Sequence, residues 1–278
     1  DGWFIDVAPG TVLEAPVELQ NVQAGGQTHV RFAVRVGAGA KVTIVERQAG
    51  NGPSLATSVS NLTVGEGAEV RWLVVQDQPD DATLLTQFNA EVAKSARLGL
   101  FLMNEGGKLV RQEVRVKVAG EDSDFQLRGI NLLAGSGHTD VTMVLDHAAP
   151  STGSRELIRN VVTDKARGVF QGRINVHQVA QKTDAKMACN TLLLSDDADF
   201  SAKPELEIFA DDVACGHGAT VTDINADHLF YLKARGIDDK SARGLLVKAF
   251  LAEAIEQLED EAVIDALEAR LDPWFALH

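Results

Sequence analysis

The residues with the clearest chemical potential in this sequence are a thiol and an imidazole separated by one position, Cys215 and His217. On an extended strand, side chains two positions apart share a face, so sulfur and nitrogen are predicted to point the same way. Both are ligands that iron accepts. Because a transition metal takes about four ligands, the pair alone is half a site. The other ligands would come from another chain, from a distant residue such as His177, or from water.

The rest of the sequence lacks the common catalytic signatures. It has no Gly-x-x-x-x-Gly-Lys-[Ser/Thr] phosphate loop and no His-Glu-x-x-His metal motif. The glycine pairs of residues 37–39 and 65–67 lack the third glycine of a dinucleotide fingerprint, so they predict turns. Adjacent carboxylates at 196–197 and 211–212 would point to opposite faces of a strand, so they also predict turns.

On spacing alone, the simpler interpretation of residues 215–217 is a buried cysteine beside a hydrogen-bonded histidine at a turn. The remaining histidines are isolated in the sequence, so we expect surface or hydrogen-bonded core residues. These histidines are His29, His138, His147, His177 and His228.

Length and composition limit the class of protein. The chain has 278 residues, 45% of them hydrophobic, which is enough for a large buried core. A net charge of −14 repels phosphate backbones and argues against a nucleic-acid partner. No apolar run reaches the roughly 18 residues of a membrane span, and the first residues do not resemble a signal peptide. Two cysteines fit a reducing compartment, so we expect a cytoplasmic protein, although one Cys189–Cys215 bridge is compatible with the sequence.

Short runs with β character fill the chain up to about residue 221. In segments such as 30–36 and 41–45, apolar and polar residues alternate and β-branched residues are common. The segment 36–42 (Val-Gly-Ala-Gly-Ala-Lys-Val) recurs at 64–70 (Val-Gly-Glu-Gly-Ala-Glu-Val). A repeat of about 20–30 residues built from strands and tight turns predicts a solenoid, in which each rung covers the apolar face of its neighbour. A β-sandwich is the alternative all-β arrangement.

Beyond residue 221 the hydrophobic period becomes helical. Asn225 marks the expected start of a first helix, Gly236 its left-handed end, and Asp238 the N-cap of a second helix. Pro273 is expected to help end a third helix. The apolar stripes of the second and third helices consist of Val247, Leu251, Ala254, Ile255, Leu258, Val263, Ile264, Leu267 and Leu271.

These patterns predict a mainly β protein in two domains. Residues 1–222 would form a β-helix (solenoid) core, and residues 223–278 a small C-terminal α-helical domain. Because the helices are amphipathic on more than one side, they would pack on the solenoid end, on each other or on a second protein.

Between about residues 159 and 250, short strings occur in a characteristic order. They are Gln-Lys-Thr at 181–183, Asn-Thr-Leu-Leu-Leu-Ser at 190–195, Lys-Pro-Glu-Leu-Glu-Ile at 203–208, Ala-Asp-Asp-Val at 210–213, Cys-Gly-His-Gly-Ala-Thr-Val at 215–221, Leu-Phe-Tyr-Leu-Lys-Ala-Arg-Gly-Ile at 229–237 and Ala-Arg-Gly-Leu-Leu at 242–246. In this order they resemble the SufB/SufD family of iron–sulfur cluster assembly proteins. The chain is more similar to the SufD branch, because Gly218 stands where SufB-type chains have glutamate.

The resemblance implies a right-handed parallel β-helix and a non-catalytic scaffold that assembles with a SufB-type paralogue and a SufC-type ABC ATPase. It implies that His217 is a candidate ligand of iron, or of a transient iron–sulfur cluster, at the interface with the SufB-type subunit. Cys215 would be a second interface ligand, and no cluster would be held stably by this chain alone. The helical domain would dock the ATPase through Leu229, Phe230, Tyr231, Lys233, Arg235, Arg243, Leu246 and Phe250.

Two other functions stay open. The β-helix fold also hosts carbohydrate-active enzymes of the lyase and esterase type, which display a groove lined by carboxylates and aromatics, but aromatics are only 5% of this sequence. A self-associating solenoid is the other, because terminal rungs expose strand edges. An isolated chain would then form a homodimer through the surface that otherwise meets the SufB-type subunit.

Overall fold

The computed structural model describes residues 2–258 and 260–277, and the first part of this region consists of strands. The alternating apolar runs form β1 (Gly2–Val7), β2 (Val17–Gln23), β3 (Gly26–Val36), β4 (Lys41–Gly50), β5 (Ser54–Val64), β6 (Glu69–Gln78), β7 (Thr83–Val92), β8 (Arg97–Gly106), β9 (Leu109–Val118), β10 (Asp124–Leu133), β11 (His138–His147), β12 (Gly153–Val162), β13 (Arg167–Val176), β14 (Asp184–Leu193), β15 (Asp199–Ile208) and β16 (Ala214–Thr222). The fold is therefore mainly β, as predicted.

The strands form two parallel sheets whose members alternate along the chain. Sheet A contains the odd-numbered strands in the order β1 to β15, and sheet B contains the even-numbered strands from β16 back to β2. Each circuit of the chain adds one strand to each sheet, which is a parallel β-solenoid. The sequence repeat corresponds to one circuit, because Val36 of β3 pairs in register with Val64 of β5. The solenoid prediction is confirmed and the sandwich alternative is wrong.

Tight turns connect the strands where the sequence predicts them. Gly39 and Gly67 have positive φ angles of 65° and 63°, which glycine adopts without steric cost. The two turns stack, because the Gly39 amide donates to the Glu66 carbonyl at 2.8 Å. The carboxylate pairs at 196–197 and 211–212 also lie in the connections before β15 and β16.

Alternation along the strands directs one set of side chains into the column between the sheets. Apolar residues from both sheets form one continuous core along this column, from Val7 and Leu19 at one end to Phe200 at the other. Each rung covers the apolar face of the next, so the core is stacked along the solenoid axis.

Three helices follow the strands: α1 (Ala226–Ala234), α2 (Asp239–Ile255) and α3 (Glu261–Leu277), with a 3₁₀ turn at Glu256–Leu258. The Asn225 side chain accepts hydrogen bonds from the amides of Asp227 and His228, and Asp238 accepts one from the Ser241 amide. Gly236 has a φ of 87°. Both predicted N-caps and the left-handed end are therefore confirmed.

The prediction that Pro273 helps end the third helix is wrong. α3 continues through Pro273 to Leu277. Proline removes one backbone hydrogen bond from the helix, but Trp274 is buried in the contact between the helices and sheet B. We attribute the continuation of the helix to this packing.

The helices fold back over the outer face of sheet B. A second apolar cluster joins outward-facing residues of β6, β8, β10, β12 and β14 to the helix stripe. The most buried stripe residues are Val247, Leu251, Ala254, Ile255, Leu267 and Leu271. Ion pairs between Arg71 and Asp260, and between Arg270 and Asp77, tie the helices to strand β6. The helices therefore pack on each other, which was one of the predicted arrangements, and on the outer face of sheet B rather than on the solenoid end. Within the described part of the chain, no helix is long and apolar enough to span a bilayer.

Candidate functional site

Strand β16, the last strand of the solenoid, carries the thiol and the imidazole. Cys215 pairs in register with Ala185 of β14, and His217 pairs with Met187. Ala185 and Met187 are both buried in the core between the sheets. Because register partners on parallel strands face the same way, Cys215 and His217 both point toward the interior column, as their spacing predicts.

This end of the column is open. β15 is the outermost strand of sheet A and β16 is the outermost strand of sheet B. The core positions of the preceding rung are covered, but Ile208, Ala219 and Val221, in the equivalent positions of the last rung, are exposed. Phe209, in the connection between the two strands, is 64% exposed. The last rung therefore presents two strand edges and an apolar surface around His217, which is itself exposed.

Cys215 is partly buried at the rim of the open end. Its sulfur lies 3.9 Å from the Thr183 carbonyl oxygen, a weak S–H contact. Desolvation raises the pKa of the Cys215 thiol, the Ala185 backbone lowers it by hydrogen bonding, and the charges of Asp184 and Glu156 raise it again. The thiol is therefore the resting form at neutral pH, and a positive charge nearby would favour the thiolate.

The other cysteine, Cys189, lies inside the column. Both cysteines are free thiols, so the bridge that the sequence left open is not formed. The Asn160 side-chain amide donates to the Cys189 sulfur at 3.4 Å. Burial raises the pKa of Cys189 to about 12, which leaves an unreactive thiol.

The other histidines do not join Cys215 and His217. His177, at the end of β13, lies with Nε2 3.6 Å from the Asp146 carboxylate. His147 is fully buried, with Nδ1 2.8 Å from the Thr152 hydroxyl and Nε2 3.1 Å from the Ser154 hydroxyl. It is a hydrogen-bonded core residue, as predicted. Among the residues that the structure describes, no group of three or more His, Cys, Asp or Glu side chains is arranged to hold a metal ion.

The residues predicted for ATPase docking divide between two surfaces. Phe230 and Tyr231 on α1 are 73% and 57% exposed, and the Arg235 guanidinium lies over the Tyr231 ring. Lys233 and Arg243 both pair with Asp239 at 2.6 and 2.7 Å.

Phe250 instead faces the solenoid, where the Arg159 guanidinium lies 4.7 Å above its ring. Leu229 and Leu246 are partly buried. Sequence reasoning missed Leu245, which is 51% exposed on α2; its place outside the buried stripe was the available signal.

A cleft of about 790 Å³ separates sheet B from the connection between α2 and α3. Carboxylates and three arginines line it, but its two aromatic residues, Trp72 and Phe101, are no more than 1% exposed. Carbohydrate enzymes stack sugar rings on exposed aromatic faces, and this cleft offers none among the described residues. The cleft therefore does not favour the carbohydrate-enzyme alternative.

The fold and the site together define a class: a parallel β-solenoid whose open last rung carries a thiol and an imidazole on one face. Comparison with known proteins gives the family. The model of the SUF system FeS cluster assembly SufBD core domain matches residues 19–250, and the chain belongs to this family.

Three relatives illustrate the membership. The chain is 39% identical over 166 residues to the iron–sulfur cluster assembly protein SufD of Escherichia coli, an alignment that covers 60% of the chain and 39% of the relative. It is 31% identical over 274 residues to the SufBD family protein slr0076 of Synechocystis, covering 93% of the chain and 60% of the relative. It is 33% identical over 281 residues to the chloroplastic protein ABCI7 of Arabidopsis thaliana, covering 95% and 58%. The chain thus spans between 39% and 60% of the length of these curated relatives.

Proposed function

We propose that this chain is a SufD-type scaffold subunit that pairs with a SufB-type paralogue through the open last rung of its solenoid. The observation that carries the proposal is the uncovered edge formed by β15 and β16, where backbone groups are unpaired and the side chains of Ile208, Phe209 and Val221 are exposed. An unpaired strand edge accepts a further strand. A second solenoid would extend both sheets and cover this apolar surface.

His217 and Cys215 would contribute to a nascent iron–sulfur cluster at that interface. The cluster is cargo of the assembly rather than a resident cofactor, and this chain supplies too few ligands to hold it alone. Imidazole nitrogen and thiolate sulfur both suit iron. A neighbouring chain at the open edge would supply the missing ligands.

The helical end would dock a SufC-type ABC ATPase. We define the docking surface as Phe230, Tyr231, Lys233, Arg235, Arg243 and Leu245. Exposed aromatic and arginine side chains are the residue types that dominate binding energy at protein interfaces. Leu229 and Leu246 would support this surface from their partly buried positions, and Phe250 would support it through its packing against Arg159.

Binding of the ATPase to the helices would affect Cys215 and His217, because a short connection joins strand β16 to helix α1. β16 ends at Thr222 and α1 begins at Ala226. A movement of α1 imposed by ATP-driven closure of the ATPase would therefore pull on β16. In this mechanism the chain hydrolyses no ATP itself and transmits a change between two arrangements of the paired edge.

Purification of the complex from the native host tests this function. We expect a SufB-type chain and an ATPase to copurify with this chain, and we expect Val221→Arg on the exposed edge to release the SufB-type chain. The Val179→Arg variant is a matched control, because Val179 is 65% exposed in a turn outside the last rung. Retention of the SufB-type chain by Val221→Arg would contradict the proposed interface.

The ligand assignment is tested by cluster formation in the reconstituted complex. His217→Ala should reduce cluster formation severely, whereas His138→Ala, at the start of β11, should not. An unchanged rate in His217→Ala would exclude this residue as a ligand.

A homodimer is the second candidate arrangement, since the same uncovered edge exists in every copy of the chain. We expect isolated chains to pair through β15 and β16 and to exchange into heterodimers when a SufB-type subunit is added. Light scattering before and after the addition distinguishes a transient homodimer from a permanent one.

A further inference from the structure

Two glutamates lie inside the solenoid column, and their surroundings differ. Glu46 and Glu156 are each only 2% exposed. The carboxylate of Glu46 accepts hydrogen bonds from Gln48, Ser58, Ser60 and Trp72 at 2.7 to 3.1 Å. Both of its carboxylate oxygens are therefore hydrogen-bonded.

Glu156 has no such support. Neither of its carboxylate oxygens accepts a hydrogen bond of normal geometry from any described residue, although the Ser154 hydroxyl lies close enough to favour the anion. Burial outweighs that effect and raises the pKa of Glu156 to about 8. At pH 7 the side chain is therefore a neutral acid. An unsatisfied acid in a core is costly, so this position calls for an explanation beyond packing.

Glu156 lies in register with a residue of the open last rung. Glu156 of β12 pairs in register with Met187 of β14, which in turn pairs with His217 of β16. The three side chains form one inward-facing row. Two strand spacings separate the backbones of Glu156 and His217, roughly 10 Å. Ser154, Ala185 and Cys215 form the adjacent row.

The charged groups around Glu156 are few. Arg128, Arg155 and Asp124 act on it from the outer side of sheet B. His147, which faces it from β11 through Ser154, has its pKa lowered by burial to about 4 and is neutral. On the open side, the titratable groups among the described residues are Cys215 and His217.

We propose that Glu156 is the internal counter-charge for a cation held at Cys215 and His217: it is protonated while the open end is empty and ionises when a cation binds there. This role rests on the proposed ligand role of Cys215 and His217. Glu156 would act on the bound cation through its charge, and sequence patterns do not reveal it. Iron in a divalent or cluster form brings positive charge to a low-dielectric end of the column, where charges interact strongly. The O–H bond of Glu156 then breaks, the electron pair stays on the carboxylate, and the proton leaves to solvent.

Proton release on metal binding tests this inference. Co²⁺ serves as an oxygen-stable probe for Fe²⁺, and the titration is run in weak buffer at pH 7 on the chain paired with the SufB-type subunit of its host. At that pH about nine in ten Glu156 side chains carry a proton. The wild type should release close to one proton more per bound Co²⁺ than Glu156→Gln, and the variant should bind Co²⁺ about tenfold more weakly at pH 8.

Two further variants make the outcome interpretable. Glu207→Gln removes an exposed carboxylate of β15 and should leave proton release unchanged. Glu156→Leu is a second variant for the case in which glutamine disturbs folding. Leucine should fit at this position, because Leu127 on β10 pairs in register with Glu156. This variant should show the same loss of one proton as Glu156→Gln.

Equal proton release from the wild type and both Glu156 variants, with Co²⁺ bound, would overturn the inference and leave the proposed function intact. Failure of Co²⁺ to bind the wild-type pair would instead reject the ligand assignment, and the inference would fall with it.

Discussion

Gly172 of β13 faces Met187 of β14 across the solenoid interior, so closely that a Cβ atom on Gly172 would lie less than 3.0 Å from the Met187 sulfur. Two ring atoms of Phe170 would lie 2.8 and 2.9 Å from the same Cβ. The absence of a side chain at Gly172 therefore determines where Met187 packs. Since Met187 lies in register between Glu156 and His217, this contact supports the inner side of the ligand pair.

Replacement of Gly172 by alanine should overpack the column. We expect Gly172→Ala to lower the free energy of unfolding by about 1–3 kcal/mol, measured by urea denaturation. Gly216→Ala is the matched control, because no described atom lies within 4 Å of the Cβ it would add. A control effect as large as that of Gly172→Ala would contradict the packing argument.

Gly218 on β16 offers a test of pairing that leaves the fold intact. A Cβ at this position also meets no described atom within 4 Å. Gly218→Trp should therefore unfold at the same urea concentration as the wild type, yet fail to bind a SufB-type subunit in analytical ultracentrifugation. Gly52→Trp, in a turn with equal space, should bind normally. Normal binding by Gly218→Trp would argue against close approach at this strand.

Local patterns predicted much of this fold. The repeat at 36–42 and 64–70 gave the solenoid, and Asn225 and Asp238 gave the helix starts, because turns and caps depend on neighbouring residues. The spacing of Cys215 and His217 gave their shared face.

The position of the helices over sheet B was not predicted, although a signal existed. The runs 72–75 and 101–103 are apolar without alternation, which is typical of strands covered on both faces. The relation of Glu156 to His217 could not be read from the sequence, because it depends on register between strands about 30 residues apart.

Packing of α2 on the solenoid yields a third prediction. Leu251 is fully buried between α2 and sheet B, whereas Leu245 on the same helix is 51% exposed. Leu251→Ala should cost about 2–5 kcal/mol of unfolding free energy, and Leu245→Ala less than about 0.5 kcal/mol. Limited proteolysis should then cleave the helices of Leu251→Ala first. Equal protease resistance in both variants would mean that the helices are held by other contacts.

The raised pKa of Glu156 predicts a specific dependence of stability on pH. Its folded-state pKa of about 8 lies above the ordinary value of 4.5, so the folded state binds more protons between these values. Glu156 therefore lowers stability progressively as the pH rises from 4.5 to 8, by roughly 5 kcal/mol in total. Glu156→Gln removes this loss. The difference in unfolding free energy between variant and wild type, measured by urea denaturation, should grow across that range and level off above it. A constant difference would contradict the buried acid.

The two cysteines should differ in reactivity. Cys189 is buried with a pKa of about 12, whereas Cys215 is partly exposed at the rim. We expect iodoacetamide at pH 8 to modify both thiols of the urea-unfolded chain. In the same time it should modify only one thiol of the native chain, as counted by mass spectrometry. Cys215→Ser should abolish the fast reaction. Rapid labelling of Cys189 would mean that the interior opens to solvent.

The reach of α2 and α3 over sheet B has a consequence for local opening. The helices overlie strands β6 to β14 and leave β16 outside their cover. Since a solenoid rung is held by its neighbours, a terminal rung with one neighbour and no helix above it frays at a lower free energy than the inner rungs, and the last rung is one of the two terminal rungs. At this end of the column, local opening is thus concentrated at the strand that bears His217, while the inner rungs stay closed. A partner can remodel this rung without melting the core on which it stands.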